Sequence, residues 1–165
     1  MESSILARVF EHNNWANKHM IKVCSELSDL QLDSLPQTAT RGTIRETLIH
    51  LATAQRNYLS LLTRLVEERT EGPVEFSDLP ESMDRSGGAL LQLARDEGQG
   101  SLKSRVRTSD GYDVEPWIVM LQTINHACEH REQISSMLTS LGVTPPDLDG
   151  WEYGEAAKAV VRTSK

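Results

Sequence analysis

Cysteine is scarce in this chain. The two that occur, Cys24 and Cys128, form no Cys-x-x-Cys pair, which excludes a disulfide framework and a thiol-rich zinc site. Both fall in predicted helices and suit a reducing interior. Positive charge is also short: Lys and Arg total 17 against 24 Asp and Glu, a net charge of -7. That balance argues against nucleic acid as a partner, because affinity for a phosphate backbone comes mostly from clustered Lys and Arg. No stretch approaches the roughly 18 apolar residues that would span a bilayer. The start, Met1-Glu2-Ser3-Ser4, lacks the basic beginning and apolar run of a signal peptide. Internal repeats and low-complexity tracts are missing as well. These absences lead us to expect a soluble, cytoplasmic protein without a membrane partner, and 165 residues suit one domain over 1–165.

What is present is helical periodicity. From Ile5 to about Leu27 the residues Ile5, Leu6, Val9, Trp15, Ala16, Met20, Val23, Cys24 and Leu27 recur in steps of three and four, as on a helix with one buried side. Ser28-Asp29 and Leu35-Pro36 break the pattern, and 37–42 reads as a polar connection. Thr43-Ile44-Arg45-Glu46 is a capping box that opens a second helix. Its seam runs Ile44, Leu48, Leu51, Gln55, Tyr58, Leu62, Leu65, spaced for packing in a bundle. A connection follows, to about Pro80. Ser82 is a candidate cap for a third helix with Met83, Leu90, Leu91, Leu93, Ala94 and Leu102. Gly87-Gly88, Gly98 and Gly100 predict that it is frayed or bent, since each interior glycine costs roughly 1 kcal/mol against alanine. Val106-Arg107-Thr108 and Tyr112-Asp113-Val114 around Ser109-Asp110-Gly111 read as a short hairpin with a tight turn. Pro116 is placed to begin a last long helix that Gly142 closes. Trp151 and Tyr153 are expected to pin the acidic tail that follows, ahead of a short helical end.

The last long helix carries the informative pattern. Val119, Thr123, His126, His130, Ile134, Met137 and Leu141 form one ladder, so two imidazoles leave the same helical face one turn apart. An apolar residue would be the cheaper choice in such slots. A buried imidazole needs partners for both ring nitrogens, and two together ask for an unusual hydrogen-bond arrangement or for a shared cation. Of the five histidines, His50 is the best third ligand for an open site. It lies on the flank of the second-helix seam beside Ala54 and Leu61, where a packed histidine with one hydrogen bond is an equally live reading. His12 and His19, on the first helix, are read as surface or packing residues. Cys128 is read as a small core residue and Glu129 as a solvated carboxylate; Arg131 and Gln133, which follow the motif, are read as structural in preference to bridging helices or orienting a ligand.

Several segments taken together resemble a known family. Asn14-Trp15-Ala16-Asn17 is similar to the first-helix signature of the DinB family, and Thr43-Ile44-Arg45-Glu46-Thr47-Leu48-Ile49-His50-Leu51 to its Ser/Thr-Ile-Arg-x-Thr-Leu-x-His segment. His126-Ala127-Cys128-Glu129-His130-Arg131-Glu132-Gln133-Ile134 resembles its His-x-x-x-His-Arg-x-Gln-Ile. Asp147-Leu148-Asp149-Gly150-Trp151 also fits, so the resemblance covers nearly the whole chain. Two positions depart from it: Glu129 stands where a second histidine is frequent, and Gln55 where an acidic residue is. The resemblance implies an all-α, DinB/YfiT-like four-helix bundle with a short hairpin or extended segment before the last long helix. It implies that His50, His126 and His130 bind one divalent metal ion, nickel or zinc, and that two copies pair as a homodimer.

Three neutral imidazoles leave a bound cation its full charge and open positions. Activating water there would give a hydrolase; stabilising a thiolate would give a thiol transferase. The resemblance favours the second, with a small-molecule substrate such as a low-molecular-weight thiol, in an S-transferase or related detoxification enzyme. The rival class is a non-catalytic, metal-stabilised homodimeric binding protein.

Overall fold

The computed structural model describes residues 4–36, 42–69, 72–96, 105–161 and 163. It is all-α apart from one short hairpin. Four long helices form the bundle: α1 (Ile5–Ser25), α3 (Ile44–Thr63), α4 (Leu79–Arg95) and α5 (Pro116–Ser140). Short helices α2 (Asp29–Leu32) and α6 (Gly150–Ala156) flank it, and the hairpin strands are β1 (Val106–Arg107) and β2 (Asp113–Val114). α1 packs on α4 and α5, and α3 packs on the same two helices from the other side. No helix among the described residues is long and apolar enough to cross a membrane.

Helix starts are fixed by local chemistry. The Ser4 hydroxyl accepts from the Ala7 amide (3.1 Å) to cap α1. The Thr43 capping box is closed: Thr43 Oγ1 accepts from the Glu46 amide (3.2 Å), and the Thr43 amide donates to Glu46 Oε2 (2.8 Å). α5 begins at Pro116 and ends at Ser140, with Gly142 at a φ of 73°. Leu65 lies beyond the end of α3 and is exposed, so the seam stops at Leu62.

The third long helix differs from expectation. α4 begins at Leu79, with Pro80 tolerated in its first turn, so Ser82 is a buried helical residue rather than the cap. It runs unbroken through Gly87-Gly88. The reason lies on α1. Asn14 Nδ2 donates to the Gly87 carbonyl (2.9 Å), and a Cβ at Gly87 would stand 2.5 Å from Asn14 Oδ1. Gly87 lets α1 and α4 approach, and that packing outweighs its low helix propensity. Gly98, Gly100 and Leu102, like most of the 37–42 connection, lie outside the described residues.

The hairpin pairs Val106 with Val114 and Arg107 with Asp113, and Gly111 supplies the turn's positive φ of 95°. Trp151, expected to pin the tail, is 76% exposed. The anchoring is made by Tyr153, whose ring lies 5.5 Å from Trp15 and 5.4 Å from His12, and by His12 Nε2, 2.8 Å from the Leu148 carbonyl oxygen.

Two apolar clusters make the core. One is built around Met20, Leu48, Leu51, Met83, Ile134 and Leu138, the other around Phe10, Leu62, Leu90, Val119 and Met120. Between them lies a layer of buried polar side chains. Arg131 Nη1 on α5 donates to Asn13 Oδ1 (2.8 Å) and Asn17 Oδ1 (2.6 Å) on α1. Asn17 Nδ2 donates to Gln55 Oε1 on α3 (3.1 Å), and Gln55 Nε2 donates to Ser86 Oγ (2.8 Å) and the Met83 carbonyl (3.2 Å) on α4. One continuous thread of hydrogen bonds therefore crosses all four long helices.

Candidate metal centre

The three histidines singled out in the sequence meet where α3 faces α5. His50 Nε2 lies 3.0 Å from His126 Nε2, which lies 3.1 Å from His130 Nε2. One ligand nitrogen from each falls within 4.8 Å of the others. Burial grades across the group: His130 is 3% exposed, His126 is half-buried and His50 is exposed. His126 is thus less enclosed than its place in the ladder implied, and the cluster opens to solvent on the His50 side. His12 and His19 stay apart from it, His12 on the Leu148 carbonyl of the tail and His19 on the Trp15 carbonyl one turn back.

The ring nitrogens leave a problem that a cation resolves. Gln133 Oε1 is 2.8 Å from His130 Nδ1, so His130 Nδ1 carries the hydrogen and its Nε2 presents a lone pair. His126 Nε2 has either one hydrogen or one in-plane lone pair, and faces a nitrogen on each side. In the neutral cluster it cannot make both short contacts as hydrogen bonds. Two imidazole nitrogens bonded to one divalent ion at about 2.0–2.1 Å stand roughly 3 to 3.4 Å apart. Both observed separations suit that arrangement, and the donor set fits a borderline divalent cation.

The surroundings hold these rings in place. Tyr58 stands edge-on to His126, with ring centroids 5.8 Å apart. Arg131, next to His130, is 5% exposed and fixes α5 against α1 through the two asparagines. Burial pulls its guanidinium down from its usual range, against the opposing influence of Cys128 and Glu132. Gln133 orients a candidate ligand, one of the roles that its place after the motif left open beside the structural one. Cys128 is exposed and not a core residue: it lies on the outer side of α5, across from the ladder. Glu129 is exposed, as expected of a solvated carboxylate. Gln55, where an acidic residue is frequent in the family, acts here as donor and acceptor in the polar layer.

The DinB family model matches residues 1–163. The chain belongs to the DinB family. Among solved structures it is similar to a crystal structure from Exiguobacterium sibiricum 255-15, described as that of a proposed DinB-family member. The two share 18% identity with a TM-score of 0.68, over 90% of this chain and 100% of the other. At that identity the likeness concerns the fold. No curated protein matches the chain. A DinB-family bundle with a three-histidine cluster able to coordinate a metal ion is what sequence and geometry share.

Proposed function

We propose that this DinB-family protein is a metal-dependent thiol S-transferase of the detoxification type, with one divalent ion, nickel or zinc, on His50, His126 and His130. The observation that carries the reading is the pair of short contacts at His126 Nε2, 3.0 and 3.1 Å, which cannot both be hydrogen bonds. A cation held by neutral imidazoles keeps its positive charge and favours the thiolate form of a bound thiol near neutral pH. The chain's own residues supply the rest. His130, buried and tied to Gln133, is the fixed ligand. His50, exposed, leaves a solvent-facing side by which a small thiol and its electrophile enter. The same reading places the protein in the cytoplasm and pairs two copies. Val9, Trp117 and Leu121, exposed on α1 and α5, edge an apolar cavity of about 360 Å³ and make that face suited to pairing.

Elemental analysis of protein purified without an affinity tag, beside its His50→Ala and His130→Ala variants, tests the site. One metal per chain in the wild type and a marked loss in both variants is expected. Less than one metal per several chains would defeat the assignment. Incubation of the metal-loaded protein with cellular thiols and an electrophile tests the activity, with His126→Ala as the control. Ester hydrolysis without thiol conjugation would favour the hydrolase instead.

A further inference from the structure

Beside the histidines, but separate from them, lies a cavity of about 260 Å³ between the second half of α3 and the hairpin turn, lined by Asn57, Tyr58, Ser60, Leu61, Arg69, Thr108 and Ser109. Hydroxyls, an amide and a guanidinium line it, and no acidic side chain does among the described residues. Among the described residues Arg69 hydrogen-bonds only to carbonyl oxygens there: Nε and Nη2 to Arg64, Nη2 to Leu61 and Nη1 to Arg107. Those bonds fix the guanidinium where α3 ends and β1 begins, yet none cancels its charge. Among the described residues no carboxylate pairs with it. Ser60 is 7% exposed, and its Oγ has no hydrogen-bond partner among the described residues. A buried hydroxyl without a partner costs about 1–3 kcal/mol unless something supplies one. A fixed positive charge, an orphan donor and surrounding hydroxyls are the elements of a carboxylate site.

Tyr58 connects this cavity to the candidate metal centre. It lines the cavity and also stands edge-on to His126. Tyr58 follows His50 by eight positions on α3, about 12 Å along the axis at 1.5 Å per residue. With the Tyr58 ring centroid 5.8 Å from that of His126 and the guanidinium on the far side of it, a ligand reaching from the histidines past Tyr58 to Arg69 is longer than a two-carbon thiol and of the length of a small peptide.

We propose that the cavity walled by Tyr58, Ser60, Arg69 and the Thr108–Ser109 turn receives the carboxylate end of a peptide-sized thiol whose sulfur reaches the three-histidine site. This rests on the thiol reading above and adds the class of thiol: elongated, with an anionic end. The cavity holds the carboxylate arm alone, because about 260 Å³ is below the usual size of a site for a whole ligand.

The test uses cobalt(II)-loaded protein, in which a thiolate on the metal gives a near-ultraviolet charge-transfer band. Glutathione and its glycine ethyl ester differ by one negative charge at the relevant end. The free acid is expected to saturate the band at a concentration at least about tenfold lower than the ester, a difference of about 1.4 kcal/mol. Arg69→Gln should bring the two within about twofold. Because Arg69 also ties the end of α3, the exposed-turn variant Ser109→Glu serves as the second test, and it should lessen or reverse the preference. Equal saturation by acid and ester in the wild type overturns the proposal. The absence of the band with both thiols defeats the thiol reading, and metal-free protein then decides the cavity. N-acetylglycine, compared with its amide, should shift the backbone amide signals of Tyr58, Ser60 and Ser109 in a nitrogen-15 correlation spectrum. An absence of acid-specific shifts overturns the carboxylate site on its own.

Discussion

Gln133 Oε1 accepts the hydrogen of His130 Nδ1 at 2.8 Å, one helical turn further along α5. That bond selects the tautomer in which His130 Nε2 offers its lone pair toward His126, and it stops the ring from turning. Hydrogen-bond partners of metal-bound histidines typically contribute 10–100-fold to affinity. Gln133→Leu should therefore weaken divalent-metal binding by about that factor, measured by competition with a chelating dye. Its circular dichroism should match the wild type. Unchanged affinity would remove Gln133 from the site.

The polar layer makes a prediction at Gln55. Its Nε2 donates to Ser86 Oγ and the Met83 carbonyl, two bonds that a carboxylate cannot make. Gln55→Glu should destabilise the bundle by about 1–3 kcal/mol at neutral pH, the cost of leaving buried groups unsatisfied. The deficit should shrink at acid pH, where a protonated carboxyl regains a donor. Urea midpoints at two pH values would show it.

The two cysteines should behave as opposites. Cys24 is 1% exposed, and burial pushes its thiol up to about 12; Cys128 is exposed. An aromatic disulfide reagent should titrate one thiol rapidly in the native protein and the second only after denaturation. Cys128→Ser should abolish the fast reaction. Two fast thiols would contradict the packing of α1.

Glu11 supplies a pH dependence. Burial pushes its carboxyl upward, but hydrogen bonds and charge from Arg95 and Arg8 outweigh that and hold it below the usual range. The bridges measure 2.9 Å to Arg8 and 3.0 Å to Arg95, and the second ties α1 to α4. A group depressed on folding stabilises fully above its unfolded pKa, about 4.3 for Glu. The contribution is lost as pH falls through the lower folded value. Glu11→Gln should thus lower the urea midpoint modestly at pH 7, and the gap from wild type should close toward pH 2. A gap that persisted in strong acid would assign Glu11 a packing role instead.

Much of the fold was legible because it is written locally. The Thr43–Glu46 capping box, Pro116, the Ser109–Gly111 turn and the three- and four-residue ladders each act within a few residues, and the ladders hold except at Ile5 and Val9 on α1 and Leu65 past the end of α3, which are exposed. The histidines were legible for a related reason: two imidazoles in a bundle ladder are costly, so their presence asks for an explanation. What escaped depends on a facing helix. Gly87 reads as a helix breaker in the sequence, and only the facing Asn14 explains it; Gln133 reads as structural in preference to ligand-orienting, and only the His130 ring beside it decides between the two. Residue type alone puts Cys128 in the core, whereas the rotation of α5 that places His130 and Arg131 inward turns Cys128 out. Of the two aromatic residues expected to pin the tail, the short α6 presents Tyr153 to the bundle and leaves Trp151 exposed.

Arg131 occupies the position next to His130, and the consequence concerns alignment. An apolar side chain such as Met137 would accept α5 displaced by one turn more readily, since Ile134 and Leu141 one turn to either side are also apolar. A guanidinium that must reach Asn13 and Asn17 accepts only one placement. Displacement by a turn would bring Ala127 or Ser135 opposite the asparagines and strand a charge in the interior. The helix is thereby indexed against α1 like a key in its lock. His126 and His130 inherit that indexing, so their height relative to His50 is set by a bond in which none of the three takes part.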